Sequence, residues 1–204
     1  MEPNRLFREA RLASGGWNLY KSIVQMVVFW TVFLVVLPAL LYFAESAVAW
    51  QQLRFASSGF RIAGVFLFLL GGSLGISSCF VMALIGRGTP LPLDCARVIV
   101  VVGPYRYIRN PMAVAGLAQG VAVGLFFGSP AIVFYALLGG PGWNFIVRPS
   151  EEKYLAERFG ESYRQYRTAV SCWVPRFPGY RAVASTTESV AVSRDPDSPA
   201  SEGQ

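Results

Sequence analysis

Read by polarity alone, this 204-residue chain alternates four long apolar runs with short charged connectors. The runs cover about residues 22–43, 62–85, 111–127 and 130–147. At 1.5 Å rise per residue, runs of this length match a hydrocarbon core of ~30 Å. The pattern therefore predicts an all-α integral membrane protein with about four transmembrane helices. Pro38 is expected to kink the first span. Gly71, Gly72 and Gly75 in the second read as small residues that let a neighbouring helix approach. In the fourth, Gly139-Gly-Pro-Gly142 is expected to interrupt the helix. Broken backbone at membrane depth survives only where protein buries it or a cavity receives it.

A different periodicity follows the fourth run. Over 150–167, Leu155, Phe159, Tyr163 and Tyr166, continued by Val170, recur at helical spacing and predict an amphipathic helix. Ser150 is placed to cap it. Glu151 and Glu152 lie in its first turn, Arg164 and Arg167 in its last, as the helix dipole favours. Gly160 is expected to weaken it only slightly. The organisation is thus an arm over 1–20, a membrane domain over 21–180 and a tail over 181–204. That tail is rich in Ser, Ala, Asp and Pro and offers too little apolar surface to order itself. The loop 86–110 is long for a connector and holds a β-prone run, Val98–Val102.

Composition sharpens this picture. With 53% apolar and 15% charged residues, the chain is unlike a soluble globule. The net charge of +6 is not a nucleic-acid footprint, because the basic residues flank apolar spans. Arg5, Arg8, Arg11 and Lys21 precede the first; Arg87, Arg97, Arg106 and Arg109 lie in loop 86–110; eight more begin at Arg148. Only Arg54 and Arg61 fall on the other side. Sixteen against two predicts both termini and loop 86–110 in the cytoplasm, and the plasma (inner) membrane is the expected location. The polar first twenty residues and the length of the first run read as a retained span rather than a cleavable signal. Cys79, Cys95 and Cys172 have no metal-ligand spacing, histidine is absent, and no metal site is expected.

The candidate chemistry lies in Gly103-Pro-Tyr-Arg-Tyr-Ile-Arg-Asn-Pro-Met112. Asn110 reads as an N-cap and Pro111 as the first residue of the third span. Helix-start N–H groups favour an anion, and Arg106 and Arg109 sit beside them. The charge distribution puts Glu151 and Glu152 on the same side. One segment is basic and the other acidic, so together they could grip a zwitterion, its carboxylate at Arg109 and its ammonium at a glutamate. Each residue also has a plainer use: Glu151 and Glu152 in a helix dipole, Arg106 and Arg109 against lipid headgroups, Tyr105 and Tyr107 as interfacial anchors.

Taken together with Gly86-Arg-Gly-Thr-Pro90, Phe159-Gly160, Tyr163, Tyr166 and Trp173-Val-Pro-Arg176, these segments resemble the isoprenylcysteine carboxyl methyltransferase and phospholipid methyltransferase family of integral-membrane enzymes. The resemblance covers about residues 60–178. It implies S-adenosylmethionine as cofactor, bound between the cytoplasmic loop and the C-terminal helix, and methyl transfer to a lipophilic acceptor, a carboxylate or amine of a prenyl or lipid compound. By motif match Tyr105, Arg106, Arg109, Asn110, Pro111, Glu151 and Glu152 would line the cofactor site, with Glu151, Glu152 and Arg109 as the catalytic set. The family often has His, Tyr and Gly where this chain has Asn110, Ala113 and Ala115. Two other readings of the same pattern are a degenerate member that binds lipid or a partner without catalysis, and a relative of NADPH-dependent membrane reductases.

Overall fold

The computed structural model describes residues 10, 13–48, 50–55, 57–89 and 95–181. Most of the N-terminal arm, residues 90–94 and residues 182–204 lie outside this set, and with them the expectations for Arg5, Arg8, Arg11 and the tail.

Among the described residues every regular element is helical. The first membrane-crossing body runs from Gly15 to Ala47 as α1 (Gly15–Trp30), a π-helical stretch (Thr31–Val36) and α2 (Leu37–Ala47). Ser14 caps its start by accepting from the Trp17 N–H, so residues 15–20, expected as part of a loose arm, already belong to the first helix. Pro38 cannot donate to the preceding turn, and the chain widens into the π stretch just before it rather than breaking. The second body is α3 (Ser58–Leu84). The third is α4 (Pro111–Phe127), whose 17 residues extend only ~25 Å at 1.5 Å each. The last combines α5 (Pro130–Gly142), a π stretch (Trp143–Val147) and α6 (Arg148–Ala169). The bodies Gly15–Ala47, Ser58–Leu84 and Pro130–Ala169 are long and apolar enough to cross a membrane, with mean hydropathy of 2.4, 2.1 and 1.3; α4 is the shorter apolar helix between α3 and the last. The chain is an integral membrane protein.

Small residues set the helix spacing. A Cβ on Gly64 would fall 2.8 Å from the Ala122 carbonyl oxygen, and one on Gly124 would fall 2.8 Å from the Val133 nitrogen. Those contacts pair α4 antiparallel with both α3 and α5. Gly15 lies beside Leu84, so the starts of α1 and α4 and the ends of α3 and the fourth span share one end of the bundle.

Three local expectations are corrected. Gly139-Gly-Pro-Gly142 does not interrupt the fourth span: the helix passes through it, and the π stretch follows. Gly139 instead makes room for Leu117 of α4, whose Cδ2 would stand 2.8 Å from a Cβ there. Ser150 does not cap a new helix. The preceding residues are already helical, with Pro149 in the first turn of α6, so no fresh helix start exists to cap. The Val98–Val102 run forms no strand; Val100 is buried, and Ile99 and Val101 pack against Phe159, Tyr163, Tyr166 and Val170 of the C-terminal helix and its exit.

Gly160 matters more than its helical context suggests. Its φ of 56° and ψ of −129° split α6 into two segments. A left-handed φ with extended ψ is open essentially to glycine alone. No heavy atom would lie within 4 Å of a Cβ at this position, so Gly160→Ala isolates backbone strain. It is expected to destabilise by ~1–3 kcal/mol, read as a lower melting temperature in detergent. A neutral or stabilising substitution would show that α6 is straight.

Candidate active site

The end of the bundle that holds the start of α4 carries the motif of residues 103–112. Gly103–Arg106 forms a 3-10 turn, followed by a short irregular passage to Asn110. Asn110 accepts the Ala113 N–H at 3.1 Å on its side-chain oxygen, and Pro111 opens α4. Local chemistry alone dictated this cap. It also consumes one of the helix-start donors, so the turn offers an anion less than its sequence suggests.

Arg109 points away from that helix start. Its backbone N–H donates to Ser171 O at 2.9 Å, Nε donates to Val170 O at 2.7 Å, and Nη1 donates to Glu152 Oε1 at 2.6 Å. A single planar fork thus ties the loop to both the start and the exit of α6. Glu152 is the hub of a basic cluster. It also receives Arg148 Nε at 2.8 Å and an ion pair from Arg167 Nε at 3.2 Å. Arg148 reaches on to Asn144 of the π stretch, where Trp173 Nε1 also donates. Burial pushes the Glu152 carboxyl up, but the hydrogen bonds and charges of Arg148 and Arg109 outweigh it and hold the group below the usual carboxylate range.

Its neighbour Glu151 is in the opposite state. Among the described residues no hydrogen bond or ion pair reaches it. Burial, aided by repulsion from Glu152 and opposed by Arg109, raises its carboxyl to about 7. The two adjacent carboxyls are therefore driven apart, Glu152 below and Glu151 above the usual carboxylate range, the pattern by which sites separate roles between like groups. The sequence reading set Arg109 and both glutamates at opposite ends of a ligand. The geometry instead closes Arg109 on Glu152 and leaves Glu151 as the carboxylate without a protein partner.

Tyr105 is buried, and its carbonyl accepts the Tyr166 hydroxyl. Burial, with the charge of Glu151 adding, raises the Tyr105 hydroxyl well above its ordinary value, so it stays neutral beside that carboxylate. Arg106 is packed under the chain exit: its carbonyl accepts the Tyr180 N–H at 2.8 Å, and its Nε is buried without a partner. The structure thus brings Tyr105, Arg106, Arg109, Asn110, Pro111, Glu151 and Glu152 to one end of the bundle, with Asn110 and Pro111 shaping the helix start. Sequence reasoning missed Arg148 and Val170 as partners of this cluster. Only the i, i+4 spacing of Arg148 and Glu152 signalled the first; nothing local signalled the second. Among the described residues no group of histidine, cysteine, aspartate and glutamate side chains could hold a metal ion.

A family model described as phospholipid methyltransferase matches residues 60–162, from the start of α3 to just past Gly160. No curated protein and no solved structure matches the chain.

Proposed function

This chain belongs to the phospholipid methyltransferase family, and from that premise we propose that it catalyses S-adenosylmethionine-dependent methyl transfer to a lipophilic acceptor at the cytoplasmic face of the membrane. The observation that carries the reading is the split glutamate pair. Glu152 is spent on three arginines, whereas Glu151 is half-buried and without a hydrogen-bond or ion-pair partner among the described residues, its carboxyl raised to about 7, and in its ionised form it suits an ammonium group. The groups we assign to the amino-acid end of S-adenosylmethionine are the Glu151 carboxyl in its ionised form, the Arg106 Nε–H, buried without a partner, and the N–H groups at the start of α4 that the Asn110 cap leaves free. When bound, that cofactor supplies a methyl group already activated by its sulfonium.

The chain's own work is then positioning and exclusion of water. Arg109 and Glu152 fix the loop against α6. The neutral hydroxyls of Tyr105 and Tyr166 wall the site without adding charge. On α4, a Cβ added to Gly116 would meet no heavy atom within 4 Å; with Ala113 one turn before it, this face leaves room for a lipophilic acceptor from the bilayer. A carboxylate acceptor needs no general base, which suits a chain without histidine.

The test exploits Glu151. With its carboxyl at about 7, a bound ammonium gains its counter-charge as pH rises through neutrality. Calorimetry of the demethylated cofactor product against the purified protein is expected to show affinity rising about tenfold between roughly pH 6 and 8, with Glu151→Gln flat. The unliganded protein should behave oppositely. Because the folded carboxyl is raised above its unfolded value of 4.5, its contribution to stability is fully present below that value. It is lost as pH rises toward about 7. A pH-independent wild-type affinity would remove Glu151 from the ligand site.

Orientation is tested separately. Reporter fusions after residues 55 and 180 are expected on opposite sides of the membrane, the second in the cytoplasm. The same side for both would overturn the four-crossing arrangement.

A further inference from the structure

The first span turns its polar side inward. The two buried residues of α1 are Asn18 and Ser22, at 1% and 0% exposure, while Val24, Val27 and Val28 face outward. Gln25 continues the inward face, since steps of four and three residues stay on one side of a helix. Asn18 Oδ1, Ser22 Oγ and Gln25 Oε1 are all buried, and none has a hydrogen-bond partner among the described residues. Ser22 is the most telling of the three. Thr31, Ser46, Ser73 and Ser78 each donate to a carbonyl of their own helix one turn back, the usual way for a helical hydroxyl to be satisfied away from water. Ser22 makes no such bond.

A second polar face belongs to α4. Gln119 is fully buried, and neither its Oε1 nor its Nε2 has a partner among the described residues. Glycines of α3 make room for it: a Cβ on Gly71 would fall 2.9 Å from Gln119 Cγ, and one on Gly72 would fall 3.5 Å from Nε2. One turn on, a Cβ on Gly75 would meet both Trp30 of α1, at 3.5 Å, and Ala115 of α4, at 3.4 Å, so the three helices come together there. Gln25 stands ~15 Å along α1 and Gln119 ~12 Å along α4, measured from starts that share one end of the bundle. Both are therefore at similar depth in the membrane. Polar groups buried at that depth are costly unless something bonds them, and they mark the bundle interior or a water-filled space. Carbonyl and hydroxyl oxygens, with no charged group among them, suit a small neutral donor. Their complete enclosure suits a ligand no larger than water. We propose that α1, α3 and α4 enclose a binding site for ordered water inside the membrane, with Asn18, Ser22, Gln25 and Gln119 as its ligands. α1 lies outside the stretch matched by the family model, so the site gives the first span a polar tie to the matched helices α3 and α4. The proposal does not depend on the cofactor reading.

The test reads water directly. Full-length protein labelled with nitrogen-15 is placed in bilayers, and magnetisation transfer from water protons to side-chain amides is followed by solid-state NMR. Gln119→Met, close in shape to the wild-type side chain, assigns the Gln119 signal by its loss. Transfer to the Gln119 amide is expected to approach that of the exposed Gln165 and to be at least about threefold faster than to the backbone N–H of Ala136, buried in α5. Transfer no faster than at Ala136 would overturn the site. Unfolding in detergent gives a second readout. Ser22→Ala and Gln119→Met each strand a bound water and should lower the unfolding midpoint. If both raised it, the polar atoms would be dry and unpaired in the wild type, and the proposal would fail. The occupant is checked in the same assay. A midpoint that rises in sodium chloride relative to choline chloride at equal ionic strength, in wild type but not in Gln119→Met, would assign the site to a cation instead of water. An organic molecule released on denaturing wild type but not Gln119→Met would also displace water as the occupant.

Discussion

Replacing Arg109 with methionine is expected to destabilise the protein by about 3–5 kcal/mol, the cost of leaving one partner of a buried charged pair behind. The Arg109 and Glu152 side chains are 9% and 11% exposed, so water cannot fully replace the lost contact. The change also removes the donor to Val170 O, which joins the motif loop to the exit of α6. Arg109→Lys should recover only part of this, because one ammonium cannot serve Val170 and Glu152 in the two directions that the guanidinium spans. Urea or thermal unfolding in detergent measures both. The Arg109→Met and Glu152→Gln pair should couple by more than ~1 kcal/mol in a double-mutant cycle, since the two share one interaction. Affinity for the demethylated cofactor should fall in step with the loosened loop, by roughly 10- to 150-fold, the equivalent of ~1.5–3 kcal/mol. Additive single-site effects, or a silent Arg109→Lys, would reduce Arg109 to a topology-setting charge.

The second large effect is expected at the opposite end of the bundle. Glu45 is 3% exposed. One of its oxygens accepts the Ser129 hydroxyl at 2.7 Å and the Ala131 N–H at 2.9 Å, and the other accepts Arg54 Nε at 3.0 Å. Ser129 in turn caps α5 by accepting from Ile132. One carboxylate therefore joins the end of α2, the connector holding Arg54 and the positive start of α5. Arg54 is held further by the Tyr42 carbonyl and ring. Glu45→Ala leaves the Ser129 hydroxyl, the Ala131 N–H and the guanidinium without their acceptor. A loss of ~3–5 kcal/mol is expected. Because Glu45 lies far along the bundle from Glu151, ligand affinity of the folded fraction should change by less than about twofold. Unchanged unfolding would show that water serves all three donors; a large affinity loss without destabilisation would couple the two ends.

The two clusters differ in how far they could be read in advance. Arg109, Glu151 and Glu152 stand in segments whose order and spacing mark them out. Glu45 and Arg54 are isolated in a polar connector, and their partners in α5 are 84 and 86 positions away from Glu45. No local signal reaches that far. Gly160 illustrates a third case. Its position in an amphipathic repeat argues for helix, and only the turn of α6 against the motif loop selects a conformation that glycine alone tolerates.

What the sequence determined by itself is whatever depends on short range and on solvent. The length and polarity of the apolar runs set the helical membrane bundle, because unpaired backbone is too costly in hydrocarbon for other solutions. The Asn110-Pro111 pair set the start of α4, because cap chemistry acts over three residues. The tertiary structure decided what depends on packing between distant segments. The fourth span runs on as helix through Gly139-Gly-Pro-Gly142, where composition suggested a break, with Leu117 of α4 packed against Gly139. Three arginines from separate places converge on Glu152 and not on Glu151. Neighbours in the chain differ by ~100° around a helix axis, so two adjacent glutamates, indistinguishable in sequence, meet different surroundings and take opposite protonation behaviour.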